Sequence, residues 1–303
     1  MMNAVIEVKN LSKDFREVKA VDNLSFSVSA GQVYGFLGQN GAGKSTTIRM
    51  LLTLIKPASG EIEIFGMNLQ KHRKEILRQV GAIIERPDLY KYLTALENLR
   101  IFAAMSGVKI SEKKLVDQLA MVGLADRATS KIKTYSQGMK QRLGIATALV
   151  HDPKLIILDE PINGLDPQGI ADVRNLILHL SNDLDKTIFI SSHVLSEMEL
   201  IADSMLIIDK GKKVAEGSKE KLLNPVKTQV ELITEDNAAS LSIIRETKWS
   251  NCLLENNSEN ILFEISKAQI PELNRLLVEK GINIISLRPK HSLEDFFLSL
   301  MAH

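Results

Sequence analysis

The sequence predicts an α/β domain with a largely parallel central sheet, followed by a smaller α+β domain. Short apolar runs of strand length alternate with helical segments along the first two thirds of the chain. Runs such as LIILD at 155–159 are apolar at nearly every position, which is typical of a parallel sheet covered on both faces. The composition then changes near Asn224 and Pro225, and 303 residues are enough for one large domain and one small one.

The strands of the first domain follow in order along the chain. They are predicted at VIEVKNL, LSFSVSAG, QVYGFLG, EIEIFG, VGAIIE, LIILD and TIFIS. The segment SMLIIDKGKKVAEG predicts a hairpin that turns at Lys210 and Gly211.

Helices are predicted between these strands. STTIRMLLTLI forms a helix that stops before Pro57, and most of 94–122 is helical. Thr94 with Glu97 predicts a capping box, and Ser111 predicts a second helix start. A further helix lies between LIILD and TIFIS, with Asp166 as its N-cap and a proline at its first position.

The second domain, predicted at 223–303, has the element order βαββαβ and then a last helix. Its strands are TQVELIT, CLLEN, ILFEIS and INIISLRP, and its helices are AASLSIIRET, IPELNRLLVEKG and, at the end, SLEDFFLSLMA. This order predicts a small ferredoxin-like domain. Its role stays open between regulation, dimerisation and support of the first domain.

The net charge, the cysteine count and the lack of long apolar runs indicate where the protein is located, but say little about its function. A net charge of +1 gives no argument for nucleic acid binding. The single cysteine, Cys252, excludes a disulfide within the chain and suits a reducing cytoplasm. The first residues, MMNAVIEVKNLSKDF, lack the apolar core of a signal peptide, and no apolar run has the length that spans a bilayer. We therefore expect any membrane segments to belong to another chain.

The stretch GQNGAGKST at 38–46 predicts a phosphate site. Gly38, Gly43, Lys44 and Ser45 satisfy the pattern G-x-x-x-x-G-K-[ST] between a predicted strand and a predicted helix. Glycines let backbone N–H groups converge on phosphate oxygens at a helix N-terminus. Lys44 would reach the β- and γ-phosphates, and the Ser45 hydroxyl would ligate Mg²⁺.

Two acids follow the apolar strand LIIL. Asp159 ends the strand at the carboxyl edge of the sheet, beside the phosphate loop, where it can hold the Mg²⁺ shell. Glu160 comes next, where a carboxylate can orient and deprotonate the attacking water.

The stretch YSQGMKQR at 135–142 predicts a second anion site. Ser136 can cap a helix that begins near Gln137, and Gly138 keeps this helix start free of a side chain. One γ-phosphate needs only one phosphate loop, so this site is expected to serve another nucleotide. Two chains arranged head to tail around a two-fold axis would place it opposite the partner's phosphate loop.

These motifs, in this order, resemble the ATP-binding subunit of an ABC transporter over residues 1 to about 220. GQNGAGKST resembles the Walker A loop, YSQGMKQR the signature, LIILDEP the Walker B strand, GLDP at 164–167 the D-loop, and SSH the switch motif that ends in His193. The resemblance implies an ABC-type P-loop NTPase domain at 1–222, with a central mostly parallel sheet, an antiparallel β subdomain and a helical subdomain at about 86–150.

The resemblance also implies the site residues. Glu160, His193 and Lys44 are expected to be catalytic, with His193 contacting the γ-phosphate. Phe15 occupies the place of an aromatic ring that stacks on adenine, although a ring at a strand edge often only packs. The expected ATP contacts are Phe15, Gly38, Gln39, Asn40, Gly41, Ala42, Gly43, Lys44, Ser45, Thr46, Ser136, Gln137 and Gly138.

Two positions depart from the family pattern. In the signature, Tyr135 and Gln137 replace a leucine and a glycine, while the two residues that would meet phosphate are kept. Glu85 stands where the family normally has a glutamine that touches Mg²⁺, so Ser45, Glu85 and Asp159 are the expected metal ligands. A glutamate can also ligate Mg²⁺. Glu85 and the ending HSLEDFFLSL together make the chain resemble the bacitracin-resistance and lantibiotic-immunity branch of exporters.

The sequence therefore predicts an ATPase subunit that uses ATP and Mg²⁺ and powers a transporter, with export of a peptide antibiotic or another amphiphile as the expected task. The expected partners are a second copy or a paired ATPase subunit, and a membrane permease contacted by about residues 86–105. The expected location is cytoplasmic, on the inner face of the membrane.

The alternative is a soluble ABC-type ATPase that remodels ribosomes or nucleic acid, which the single phosphate loop and the lack of heptads disfavour. A metabolic kinase would not explain residues 135–139 or His193.

Overall fold

The chain divides into two units, Met1–Ser218 and Lys219–His303, with the division close to the boundary expected at residue 222. The computed structural model describes residues 4–16, 18–223, 228–254 and 260–290.

The first unit contains two sheets. Its strands are β1 (Ala4–Phe15), β2 (Val18–Ser29), β3 (Val33–Leu37), β4 (Ser59–Ile64), β5 (Met67–Asn68), β6 (Val80–Ile83), β7 (Leu155–Asp159), β8 (Thr187–Ser192), β9 (Ser204–Asp209) and β10 (Lys212–Ser218). One sheet is antiparallel, in the order β2-β1-β4-β5. The other has the order β10-β9-β3-β8-β7-β6, and all of its strands are parallel except β10. The mostly parallel central sheet and the antiparallel β subdomain are thus confirmed.

The parallel sheet is buried on both faces, as its sequence pattern indicates. Every residue of β3, β7 and β8 is buried. Phe189 of β8 packs against Phe36 with ring centroids 5.3 Å apart, and both rings lie near Phe26 of the antiparallel sheet. One core cluster therefore joins the two sheets.

The helices of the first unit are α1 (Lys44–Leu51), α2 (Arg73–Leu77), α3 (Ala95–Met105), α4 (Glu112–Met121), α5 (Gln137–Leu149), α6 (Pro167–Asn182) and α7 (Leu195–Ile201). Thr94 and Glu97 form the expected capping box of α3, Ser111 caps α4, and Asp166 caps α6. In the described part of the chain, no helix has both the length and the apolar character that a bilayer-spanning segment needs.

The second unit contains α8 (Lys219–Leu223), β11 (Thr228–Thr234), α9 (Asn237–Arg245), β12 (Ile261–Ile265), α10 (Ile270–Glu279) and β13 (Ile284–Lys290). The strand order is β12-β11-β13, and β11 is antiparallel to both neighbours. Its core includes Trp249, Phe263 and Leu273. The unit is the small α+β domain that was expected.

One strand expected in this unit is not present as predicted. Residues Lys248–Cys252 form a 3₁₀ turn whose start is capped by Thr247, so the chain reaches the sheet only at Leu253. Leu253 forms a single antiparallel bridge with Phe263, and the Leu254 N–H donates to the Leu262 carbonyl. The prediction of a strand at CLLEN is wrong for its described residues, although the bridge lies on the side of β12 where the second strand of a ferredoxin-like sheet is expected. The predicted helix SLEDFFLSLMA lies outside the described residues.

Candidate functional site

Three neighbouring strands bring the predicted catalytic residues to one edge of the parallel sheet. β3, β8 and β7 are adjacent and parallel, so their carboxyl ends meet. Gly38 follows the end of β3, Asp159 ends β7, and His193 directly follows β8. This is the edge at which ligands bind in open α/β sheets.

The phosphate loop lies between β3 and α1 and has no room for side chains at two of its glycines. Gly43 has a φ of +107°, and a Cβ there would lie 2.5 Å from the carbonyl oxygen of Ala20. A Cβ at Gly38 would lie 2.5 Å from the Ile208 carbonyl oxygen. The loop is held from outside by Gly211, whose N–H donates to the Ala42 carbonyl. Its tip, formed by Gln39, Asn40 and Gly41, is exposed and open to a ligand.

Lys44, the first residue of α1, is buried and points back into the loop. Its Nζ donates to the carbonyls of Gly38, at 2.6 Å, and Gln39, at 3.1 Å. The same Nζ lies 3.2 Å from Oε1 of Glu160. The other carboxylate oxygen of Glu160 is 2.8 Å from Nδ1 of His193. The three residues predicted to be catalytic therefore form one connected cluster.

Asp159 and Ser191 add a second layer to this cluster. Asp159 is 1% exposed, and its Oδ1 accepts a hydrogen bond of 2.6 Å from the Ser191 hydroxyl. The Ser191 hydroxyl in turn accepts a 2.9 Å hydrogen bond from the Glu160 N–H. Ser191 was not among the residues expected from the sequence. Its place two residues before His193, on the strand next to Asp159, is the signal that would have found it.

The site has donors suited to Mg²⁺. Oδ2 of Asp159 is buried without a hydrogen-bond partner among the described residues, and the Ser45 hydroxyl forms no hydrogen bond with any of them. An orphaned buried carboxylate oxygen and a free hydroxyl are the kind of ligands that Mg²⁺ takes beside nucleotide phosphates. The described residues contain no group of three or more His, Cys, Asp and Glu side chains arranged for a metal.

The signature turn begins α5. Ser136 is the N-cap, and its Oγ accepts from the N–H of Met139 at 3.2 Å. Ser136 and Gln137 are exposed, whereas Gly138 is buried close to Gly169 in the first turn of α6. Among the described residues, no hydrogen bond or ion pair joins this turn to the phosphate loop of the same chain. The phosphate loop and the signature turn are thus separate features of one chain.

Glu85 and Phe15 lie outside the cluster around Lys44. The Glu85 carboxylate pairs with Arg49 of α1 at 2.5 Å, and the residue has a φ of +59°. The pairing with Arg49 uses one of the two carboxylate oxygens of Glu85. Phe15, at the end of β1, is 47% exposed, and the Lys13 ammonium lies 5.1 Å from the centroid of its ring. A metal contact for Glu85 and adenine stacking for Phe15 stay predictions.

The chain is similar to known proteins of one family. Residues 21–163 match the family model described as ABC transporter. The chain is 45% identical over 303 residues to the bacitracin transport ATP-binding protein BcrA of Bacillus licheniformis, covering 99% of this chain and 98% of that one. It is 42% identical over 212 residues to the lantibiotic transport ATP-binding protein SrtF of Streptococcus pyogenes, covering 70% and 90% of the two chains. A solved ATP-binding subunit of an ABC transporter superposes with a TM-score of 0.64 at 34% identity, over 72% of this chain and 91% of that structure.

Proposed function

This chain belongs to the ABC transporter family as an ATP-hydrolysing subunit, and from that premise we propose that it powers the export of a peptide antibiotic or another amphiphile through a separate membrane subunit. The observation that carries the ATP-hydrolysing role is the cluster of Lys44, Glu160 and His193 at the edge of the sheet. The similarity to bacitracin and lantibiotic transport proteins supports the class of cargo.

In this proposal, residues 38–46 hold the phosphates of ATP and Phe15 stacks on the adenine. Ser45 and Asp159 would hold Mg²⁺, which supplies positive charge against the β- and γ-phosphate oxygens. Lys44 moves away from the Glu160 carboxylate and binds phosphate instead. Glu160 is then free to accept the proton of the attacking water. His193 then orients Glu160 through the Nδ1 contact.

We infer that two copies, or one copy and a paired ATPase subunit, bind two ATP molecules between them. Ser136 and Gln137 of the signature turn are exposed at a helix start, so the turn can receive a phosphate from outside its own chain. In a head-to-tail dimer, the phosphate loop of the partner delivers that phosphate.

Replacing Gly138 with aspartate tests this composite site. A Cβ at Gly138 would lie 3.4 Å from Cα of Gly169, an ordinary contact, so the position has room for a Cβ. The added carboxylate would face a phosphate, and like charges at an interface cost several kcal/mol. We expect ATPase activity to fall about 100-fold or more, while ATP binding by isolated chains is unchanged. Steady-state hydrolysis and calorimetric titration measure the two quantities.

The matched control is Gly138→Asn, which has nearly the same size without the charge and is expected to keep much more activity. Loss of ATP binding by isolated Gly138→Asp chains would contradict the composite site.

The surface proposed to receive the permease is residues 86–105. Tyr90, Tyr92 and Met105 are 49%, 79% and 71% exposed, so this segment offers three large side chains with apolar surface to a partner. The loop that carries Tyr90 is fixed by the buried Asn98 side chain, which bonds the Tyr90 backbone at both its N–H and its carbonyl. Charged side chains such as Arg86, Lys91 and Arg100 are also exposed on this surface. It therefore offers both apolar and charged contacts around a loop that Asn98 fixes.

This surface is connected to the signature helix. A Cβ at Gly144 of α5 would lie 2.4 Å from Cβ of Pro87, so α5 packs directly on the segment that follows Glu85. A shift of α5 when two chains close would move this segment and a partner helix seated on it.

Affinity purification of the tagged chain from native membranes tests the function. We expect a multi-span membrane protein to copurify with the wild type, and to be lost from a Tyr90→Ala, Tyr92→Ala double variant that still binds ATP. Leu200→Ala, which truncates a 56% exposed apolar side chain in α7, is the matched control. Recovery of ribosomes or other soluble assemblies would favour the alternative of a remodelling ATPase.

A further inference from the structure

Ser191 connects the two acids of the site through a single hydroxyl. The residue is fully buried near the end of β8 and lies directly beside Asp159 in the register of β7 and β8. Its Oγ has one proton, which is donated to Oδ1 of Asp159 at 2.6 Å. The same oxygen accepts the N–H of Glu160 at 2.9 Å. Both hydrogen bonds are within the normal range of length.

The first bond fixes the Asp159 carboxylate. The terminal torsion of an aspartate is broad, so an unrestrained carboxylate can rotate. Because Oδ1 is held by Ser191, Oδ2 is the oxygen left buried and unpartnered among the described residues. That oxygen is the one that remains available to a metal.

The second bond fixes the backbone of Glu160. Glu160 has a φ of +49°, in the left-handed region that residues with side chains rarely adopt. Such a conformation persists only where the surroundings hold it. With the N–H held by Ser191, the Glu160 side chain leaves the strand toward Lys44 and His193.

We propose that Ser191 is a positioning residue that aligns the metal-binding carboxylate and the catalytic carboxylate together. The inference rests on the proposed roles of Asp159 and Glu160. Hydrogen-bond partners of metal ligands typically change metal affinity or activity by about 10- to 100-fold when they are removed. A shared partner of both acids is expected to affect Mg²⁺ affinity and turnover at once.

The experiment measures the Mg²⁺ dependence of ATP hydrolysis by the full chain. For Ser191→Ala we expect the Mg²⁺ concentration at half-maximal rate to rise about tenfold and the maximal rate to fall about 10- to 100-fold. ATP binding in EDTA should stay at the wild-type level. Ser191→Thr keeps the hydroxyl and is expected to keep the wild-type Mg²⁺ requirement.

Thr187→Val is the matched control on the same strand. Thr187 is buried at the opposite end of β8, and its hydroxyl accepts one backbone N–H, that of Gly31, at 3.0 Å. Its loss removes a buried hydrogen bond far from the two acids, so the Mg²⁺ requirement should not change. An equal shift in Thr187→Val, or an equal shift in Ser191→Thr and Ser191→Ala, would overturn the role of the Ser191 hydroxyl.

Asp159→Asn separates this inference from the proposed function. If Asp159→Asn raises the Mg²⁺ requirement and Ser191→Ala does not, only the role of Ser191 is wrong. If Asp159→Asn leaves the requirement unchanged, the metal assignment is wrong and the inference falls with it.

Discussion

Replacing Glu160 with glutamine should slow ATP hydrolysis by about 10²- to 10⁴-fold and leave ATP binding intact. The side chain is positioned by Lys44 on one oxygen and by His193 on the other, at 3.2 and 2.8 Å. Glutamine has the same shape and keeps a polar atom beside His193, the contact that orients the side chain once Lys44 has moved to phosphate. An amide, however, does not accept a proton from water near neutral pH. Binding and positioning therefore survive, and the proton transfer is lost.

The blocked step has a second consequence. Two chains that close on ATP would stay closed, so the Glu160→Gln variant should elute as a dimer with Mg²⁺ and ATP and as a monomer with ADP. Size-exclusion chromatography with light scattering measures this, alongside phosphate release. Glu216→Gln is the matched control, because Glu216 is also a partly buried carboxylate with two partners, Tyr34 and Lys213, but lies on β10. A Glu160→Gln chain that hydrolyses ATP at more than about a third of the wild-type rate would show that Glu160 is not the base.

The elements that carry the site follow from local sequence patterns. β3, β7 and β8 are apolar along their length, which predicts buried parallel strands, and parallel strands bring their carboxyl ends to one edge. The caps at Thr94, Ser111 and Asp166 were equally local, because a side chain and an N–H three residues later suffice to form them. Such features need no knowledge of the rest of the chain.

The contacts between side chains could not be predicted in this way. The pairs Lys44–Glu160 and Arg49–Glu85 join residues distant in the sequence, and each depends on which rotamer the surrounding packing selects. The failure at CLLEN has a similar cause. Its apolar pattern fits a strand, but the preceding 3₁₀ turn takes up the chain as far as Cys252, so among the described residues only Leu253 and Leu254 bond to the sheet edge. Competition between neighbouring elements for the same residues is decided by tertiary packing.

Replacing Lys44 with alanine should remove nucleotide binding itself. Lys44 is 5% exposed, and the carbonyls of Gly38 and Gln39 hold its ammonium inside the loop. Hydrogen bonds to charged groups contribute about 1.5–3 kcal/mol each, so losing its phosphate contacts should weaken ATP binding by about 100-fold or more. Thermal unfolding gives a direct measurement, since ATP at 100 times its Kd stabilises the wild type by about 2.7 kcal/mol and should barely stabilise the variant.

Lys186→Ala provides the comparison that makes this result specific. Lys186 is also a largely buried lysine paired with an acid, Asp152 at 2.6 Å, but it precedes β8 at the opposite edge of the parallel sheet. It should lose some stability and keep the full stabilisation by ATP. If Lys44→Ala retained that stabilisation as well, the ammonium would not contact phosphate. The Lys44–Glu160 contact would then be only a structural ion pair. In the proposed mechanism Lys44 leaves Glu160 because it gains a phosphate contact, and without that contact it has no reason to leave.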